Sequence, residues 1–237
     1  ASGARPLVEL SGLTSAENTQ GFRIIGEQYT GLSVAGAADI NGDGLDDVLL
    51  QSTSGTAGTS PNPGVAWVAF GKKEGSAINV SAIEAGSSGF AINMGITTGN
   101  YGAYWIDSAG DINGDGLGDI IVGHAYGNLN PTGAGAAYVV YGNAAGTGVN
   151  LSSGTIDASL GFKITGQAGS YLGQVVSGAG DVNGDGFADV IVGADQANTG
   201  AGAAYVIYGK ATNAGVNLSS GSINTSDGYK IIGQGGT

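Results

Sequence analysis

Short apolar runs rich in Val, Ile, Tyr and Phe recur along this chain, each bounded by Gly, Asn or Asp. Such runs, β-branched and aromatic between turn-forming residues, predict short β-strands. No segment sustains an apolar period of about 3.6 residues, so no long amphipathic helix is predicted. In the last third of the chain the runs fall at about 173–179, 189–194, 203–209 and 228–233. The reading is all-β, in groups of four strands.

The groups repeat. Asp-Ile-Asn-Gly-Asp-Gly-Leu begins at Asp39 and at Asp111, and Asp-Val-Asn-Gly-Asp-Gly-Phe at Asp181. A tyrosine stands ten residues before each: Tyr29, Tyr101 and Tyr171. Ala-Trp-Val-Ala-Phe-Gly (66–71) returns as Ala-Tyr-Val-Val-Tyr-Gly (137–142) and Ala-Tyr-Val-Ile-Tyr-Gly (204–209). Gly-Phe-Arg-Ile-Ile-Gly (21–26) returns at 161–166 and 228–233, with a degenerate copy at 89–94. Val-Asn-Leu-Ser at 149–152 and 216–219 matches Val-Glu-Leu-Ser at 8–11 and Ile-Asn-Val-Ser at 78–81.

Four strands per repeat predict a β-propeller of four-stranded antiparallel blades; the coils of a β-solenoid are much shorter. The first strand of each group is small: Ala35-Gly36-Ala37-Ala38, Ser108-Ala109-Gly110 and Ser177-Gly178-Ala179-Gly180. Innermost strands converge on the propeller axis, where only small side chains fit. The predicted division is the end of a preceding repeat at 1–28, then blades at 29–94, 95–166 and 167–233. Three blades do not close a ring, since propellers have about four to eight. The expectation is therefore a piece of a longer array, with closure by partner copies as the alternative.

The recurring loop is Asp-x-Asn-Gly-Asp-Gly-x-x-Asp. Positions 1, 3 and 5 set three oxygen-bearing side chains on one side of a tight turn, and the glycines allow the chain to wrap. A backbone carbonyl at position 7 and a carboxylate at position 9 would complete a cation site. The predicted ligands are Asp39, Asn41, Asp43, Leu45 and Asp47 in the first loop; Asp111, Asn113, Asp115, Leu117 and Asp119 in the second; and Asp181, Asn183, Asp185, Phe187 and Asp189 in the third. Leu45, Leu117 and Phe187 would serve through their carbonyls. Hard oxygen donors without His or Cys select calcium, at three sites. An EF-hand needs Glu at position 12, where Leu50, Val122 and Val192 stand here. Asn-Gly and Asp-Gly also make plain hairpin turns, but a turn does not need three acidic residues in nine.

The loops, together with Val192-Gly193-Ala194, Tyr205-Val206-Ile207-Tyr208-Gly209 and their counterparts, resemble the FG-GAP repeats of integrin α-subunit propellers and of bacterial surface proteins. The resemblance covers nearly the whole chain. It implies calcium in the loops joining strands one and two, on one face of the disc, and a role in adhesion or as a scaffold. Gln51-Ser52 and His124 depart from the pattern at the ends of second strands. The absence of Cys makes the chain similar to bacterial members rather than to animal integrins.

Charge narrows the function. The net charge is −12, and ten of the 19 acidic residues lie in the three loops. Seven scattered basic residues form no patch for nucleic acid. No apolar run is long enough to span a bilayer. No arrangement of general acid, base or nucleophile is recognisable, so no enzyme is expected. The expected function is that of an extracellular, calcium-stabilised structural or adhesive module, with other chains or further copies of the array as partners and a glycan as a further one. A carbohydrate-binding propeller and a non-catalytic accessory domain of a secreted hydrolase are the alternatives. Trp67 and Trp105 are expected to pack within strands, His124 to lie at the surface or a strand end, and Asp107 to face the central channel from an innermost strand. Asn79, Asn150, Asn217 and Asn224 begin Asn-x-Ser sequons, as repeat copying alone would also produce.

Overall fold

The structure is a computed structural model that describes residues 21–26, 30–52, 64–94, 105–125 and 132–234. Tyr29 and Tyr101 lie outside the described residues. Among the described residues the fold is all-β, apart from one helical turn. Strand β1 (Ile24–Ile25) comes first. The first blade holds β2 (Thr30–Gly36), β3 (Val48–Ser52) and β4 (Val65–Ala69); then follow a short β5 (Ile78–Asn79), helix α1 (Val80–Glu84) and the blade's outer strand β6 (Gly89–Asn93). The second holds β7 (Ile106–Gly110), β8 (Asp119–His124), β9 (Ala136–Val140), a short β10 (Val149–Asn150) and β11 (Gly161–Thr165). The third holds β12 (Val176–Gly180), β13 (Asp189–Ala194), β14 (Ala203–Ile207), a short β15 (Val216–Asn217) and β16 (Gly228–Ile232).

In each blade the four long strands run antiparallel in chain order. These are the four-stranded blades of a β-propeller. The short fifth strand leaves its own blade and pairs in parallel with the outer strand of the preceding one. Val149 pairs with Ile92, Val216 with Ile164, and Ile78 with Ile24. The repeated Val-Asn-Leu-Ser motif is thus a lateral tie between blades. After β5 the same motif enters α1, a turn that the all-β reading did not anticipate.

Alternating side chains of each strand enter different cores, because a blade in mid-array is covered on both faces. Ile120 and Val122 pack toward the first blade with Leu49, Val68 and Phe90. Ile121, between them, packs toward the third with Val190, Val192 and Tyr205. This double burial is why the second strands read as unbroken apolar runs. The innermost strands are small because they nearly touch: a Cβ on Gly178 would lie 2.5 Å from the Ser108 carbonyl oxygen. Asp107, on β7, does not stand free in the channel. Its Oδ2 accepts the Ser177 hydroxyl at 2.6 Å, linking the second and third blades.

Three single residues sharpen or correct the sequence reading. Trp67 is fully buried in β4 and donates its indole N–H to Glu84 at 3.3 Å. Trp105 precedes β7 and is exposed, so the packing expected of it is absent. His124 does end β8 but is buried, its ring edge-on to Tyr138 at 6.4 Å. Burial, and secondarily the Lys163 charge, pushes its imidazole down to about 4, so it is neutral at pH 7. Gln51 and Ser52 pair in register with Ala66 and Val65 on β4, but on the other side the pairing with β2 shifts register opposite them, between Thr30 and Ser33.

Replacing Trp67 with Ala is expected to lower the unfolding free energy by about 3–5 kcal/mol. Replacing Trp105 with Ala should change it by about 0.5 kcal/mol or less. Urea unfolding of both variants checks the assignment.

Candidate metal centres

Each nine-residue loop joins the first and second strands of a blade, and the three are near copies in geometry. In the first, Asp39 Oδ1 accepts the N–H of Gly42 at 2.7 Å and of Asp43 at 3.0 Å, and Oδ2 accepts that of Gly44 at 2.8 Å. Asn41 Oδ1 accepts the Asp43 N–H at 2.8 Å, and Asp43 Oδ1 accepts the Leu45 N–H at 2.9 Å. Asn41 also donates its amide to Asp43 Oδ2 at 3.1 Å. Asp111, Asn113 and Asp115 repeat this pattern, as do Asp181, Asn183 and Asp185. The glycines at positions 4 and 6 take φ between +77° and +95°, a region that other residues avoid.

The position-9 carboxylates do something the sequence did not reveal. Asp47, Asp119 and Asp189 are buried. In each, Oδ2 accepts the N–H of position 2, from Ile40, Ile112 or Val182, at 2.8–3.0 Å. Oδ1 accepts the N–H of Gly71, Gly142 or Gly209 at 2.8 Å. Those glycines close the third-strand motif, and a Cβ there would come within 2.2–2.4 Å of the position-8 carbonyl. The repeated Gly after each third strand was the available signal for this brace.

Successive loops also touch. Gly118 donates its N–H to the Asp39 carbonyl at 2.8 Å, and Ala188 to that of Asp111 at 3.0 Å. The Leu117 side chain lies against Gly42, and the Phe187 ring against Gly114. Thus Leu117 and Phe187 serve as packing residues between neighbouring loops.

The electrostatics of the loops are one-sided. Burial raises the Asp119 carboxyl to about 7, and the charges of Asp115 and Asp111 add to the rise. Asp47 is raised by the same causes, with Asp43 and Asp39 as the charges. The one salt bridge among the described residues, Lys210 to Asp227 at 2.9 Å, involves none of the ligand candidates. The donor set is all oxygen, which fits a hard divalent cation. An ionised carboxylate offers about four lone-pair positions, and Asp43 and Asp47 use two each in these contacts. Among the described residues, however, no three His, Cys, Asp or Glu side chains are gathered closely enough to hold an ion alone. A cation here would draw on Asn41 and backbone carbonyls as well.

Residues 103–140 and 172–207 match the FG-GAP repeat. The chain carries FG-GAP repeats. The matched stretches contain the second and third loops and run to the end of the third strand in each blade. Similar proteins include integrin alpha-PS5 of Drosophila melanogaster, 31% identical over 171 residues, covering 72% of this chain and 15% of that protein. Integrin alpha pat-2 of Caenorhabditis elegans is 32% identical over 179 residues, 70% of this chain and 13% of that one. Phosphatidylinositol-glycan-specific phospholipase D of Mus musculus is 33% identical over 111 residues, 44% of this chain and 13% of the enzyme. The FG-GAP repeats here thus span a minor part of each relative. Among the described residues, no helix is long and apolar enough to cross a membrane.

Gly142→Ala is expected to force its new methyl against the Gly118 carbonyl and to break the Asp119 brace, costing about 1–3 kcal/mol. Gly116→Ala, with open space around it and φ +88°, should cost about 1–2 kcal/mol from backbone strain alone. In the Gly142 variant alone, the Asp119 carboxyl shift followed by NMR should also change.

Proposed function

We propose that this chain is a calcium-stabilised extracellular module of structural or adhesive repeats, with blades at 29–94, 95–166 and 167–233 after the end of a preceding repeat at 1–28. The observation that carries the reading is the threefold recurrence of one oxygen-rich loop at the same end of successive blades. Asp39, Asn41, Asp43, Leu45 and Asp47 would hold the first ion, Asp111, Asn113, Asp115, Leu117 and Asp119 the second, and Asp181, Asn183, Asp185, Phe187 and Asp189 the third. Each ion would supply the positive charge that its carboxylates lack. Three divalent ions would halve the net charge of −12. Extracellular calcium modules bind with Kd of about 10⁻⁴–10⁻³ M, so even weak sites of this kind would be substantially filled outside a cell. The similarity to integrin alpha subunits supports the adhesive role and the extracellular setting.

Further repeats or other chains are the partners this reading assigns. Phe162 and Ile164 in β11 are 3% and 0% exposed beneath the third blade, whereas their counterparts Tyr229 and Ile231 in β16 are 43% and 48% exposed. The register of the three short strands supports a parallel Val-Asn-Leu-Ser-type strand along β16. A second reading, an accessory domain joined to a hydrolase, is favoured by the similarity to the phospholipase D.

Native mass spectrometry should find three calcium ions per chain, and Asp111→Asn, Asp181→Asn or Asp39→Asn should each remove one. A chain carrying no calcium, or an unchanged count in all three variants, would refute the reading. Ile231→Lys should abolish whatever self-association the wild-type chain shows at the same concentration.

A further inference from the structure

A cavity of about 430 Å³ opens among the loops of the third blade, at the ends of the strands opposite the metal loops. Its working side chains are Gln167, Ser170, Gln196, Asn198, Thr199 and Lys230. The volume falls within the range of small-molecule sites, about 300–1,000 Å³. The lining is polar and contains no aromatic ring and no carboxylate. Carboxamides and hydroxyls each offer both a donor and an acceptor, which matches a ligand rich in hydroxyl groups. Without a ring to stack on, recognition would run through hydroxyl edges and charge.

The charge is supplied by Lys230. Its ammonium donates to Asn198 Oδ1 at 2.9 Å and to the Gly221 carbonyl at 2.8 Å, and it stands 5.4 Å from the centre of the Tyr205 ring. An ammonium has three N–H donors, so one remains. These partners are all neutral, and the one salt bridge among the described residues lies elsewhere. In a chain of net charge −12, this is a cavity wall that favours one negative charge.

The wall is held in place at a cost. Among the described residues, the non-glycine residues with positive φ are Tyr171, Asn198 and Thr199, at +50°, +53° and +58°. Two of them line the cavity, and the third follows Ser170, which does as well. A β-branched residue in this region is a true outlier, and such strain persists only where the surroundings impose it. Here Asn198 is pinned by its bond to Lys230 and by donating to the Gly202 carbonyl at 3.2 Å. The Gln167 carboxamide lies where a Cβ on Gly221 would meet its Oε1 at 2.5 Å. Asn198 and Lys230 are therefore pre-positioned, with the Gln167 carboxamide close beside Gly221.

From these observations we infer that the cavity binds a uronate, the acidic sugar unit of a polysaccharide, with Lys230 facing its carboxylate and the Gln167, Gln196 and Asn198 amides facing its hydroxyls. The inference does not rest on the metal loops. The test is an NMR titration of the ¹⁵N-labelled chain in calcium buffer with sodium glucuronate, methyl glucoside and sodium sulfate. Glucuronate should give saturable shifts confined to residues 167–170, 196–199, 220–221 and 230, with the other two probes much weaker. Lys230→Gln should weaken glucuronate binding by about ten- to hundredfold. Gln167→Ala, at a half-buried loop position, should weaken it less and leave the rest of the spectrum unchanged, which keeps the test valid if Lys230→Gln misfolds. The proposal fails if glucuronate shifts none of these amides or if both variants bind it as the wild type does. Equal binding of sulfate would reduce the cavity to an anion site and overturn the sugar, and equal binding of methyl glucoside would overturn the role assigned to Lys230.

Discussion

One buried carboxylate per blade holds the architecture together at the loop end. Asp47, Asp119 and Asp189 each take one N–H from the start of their own loop and one from the glycine that ends the third strand. Burying such a group is tolerable only because both oxygens are hydrogen-bonded. The brace fixes where the loop leaves the first strand and where it enters the second. It also presents the loop's remaining oxygens to solvent on the same side in every blade. Because the second and third loops each donate a backbone N–H to the loop before, a displacement in one loop is felt by its neighbour.

This brace and the proposed calcium ions address one problem from two sides. The brace satisfies the position-9 carboxylate by hydrogen bonds but leaves its charge, and those at positions 1 and 5, without a counterion. Desolvation and mutual repulsion show in the raised Asp119 and Asp47 carboxyls. A divalent cation would answer the charge without disturbing the brace, since lone pairs remain on the same groups. The blades then separate their functions spatially. Charge lies at one end of the strands, apolar stacking in the middle, and a polar cavity at the other end of the third blade.

The fold was largely legible because the repeat exposes it. Double burial made the second strands continuous apolar runs, and crowding on the inner strands made them small, so both patterns survive in sequence. The loop residues were legible for the same reason. What stayed hidden was non-local. Nothing in the spacing of Asp119 and Gly142 says that they hydrogen-bond, though the repeated Gly after Tyr141 hinted at a tight contact. The lateral pairing of Val-Asn-Leu-Ser with the preceding blade was also invisible, because a two-residue parallel strand has no local signature. Asp107 was read as a solvated channel residue, and the burial of His124 at its strand end was not foreseen, because their surroundings come from a neighbouring blade or strand. Trp105 shows the reverse error: an aromatic beside a strand need not be buried.

The central claim is that the three loops are cation sites that stabilise the blades. It is tested most directly by thermal unfolding of the same chain in millimolar calcium and in EGTA. Ligand at 100 times Kd adds about 2.7 kcal/mol per site, and about 1 kcal/mol moves a domain of this size by roughly 2–4 °C. Calcium is expected to raise the melting temperature by at least about 5 °C. Identical melting in calcium and in EGTA would contradict it and leave the loops as hydrogen-bonded turns.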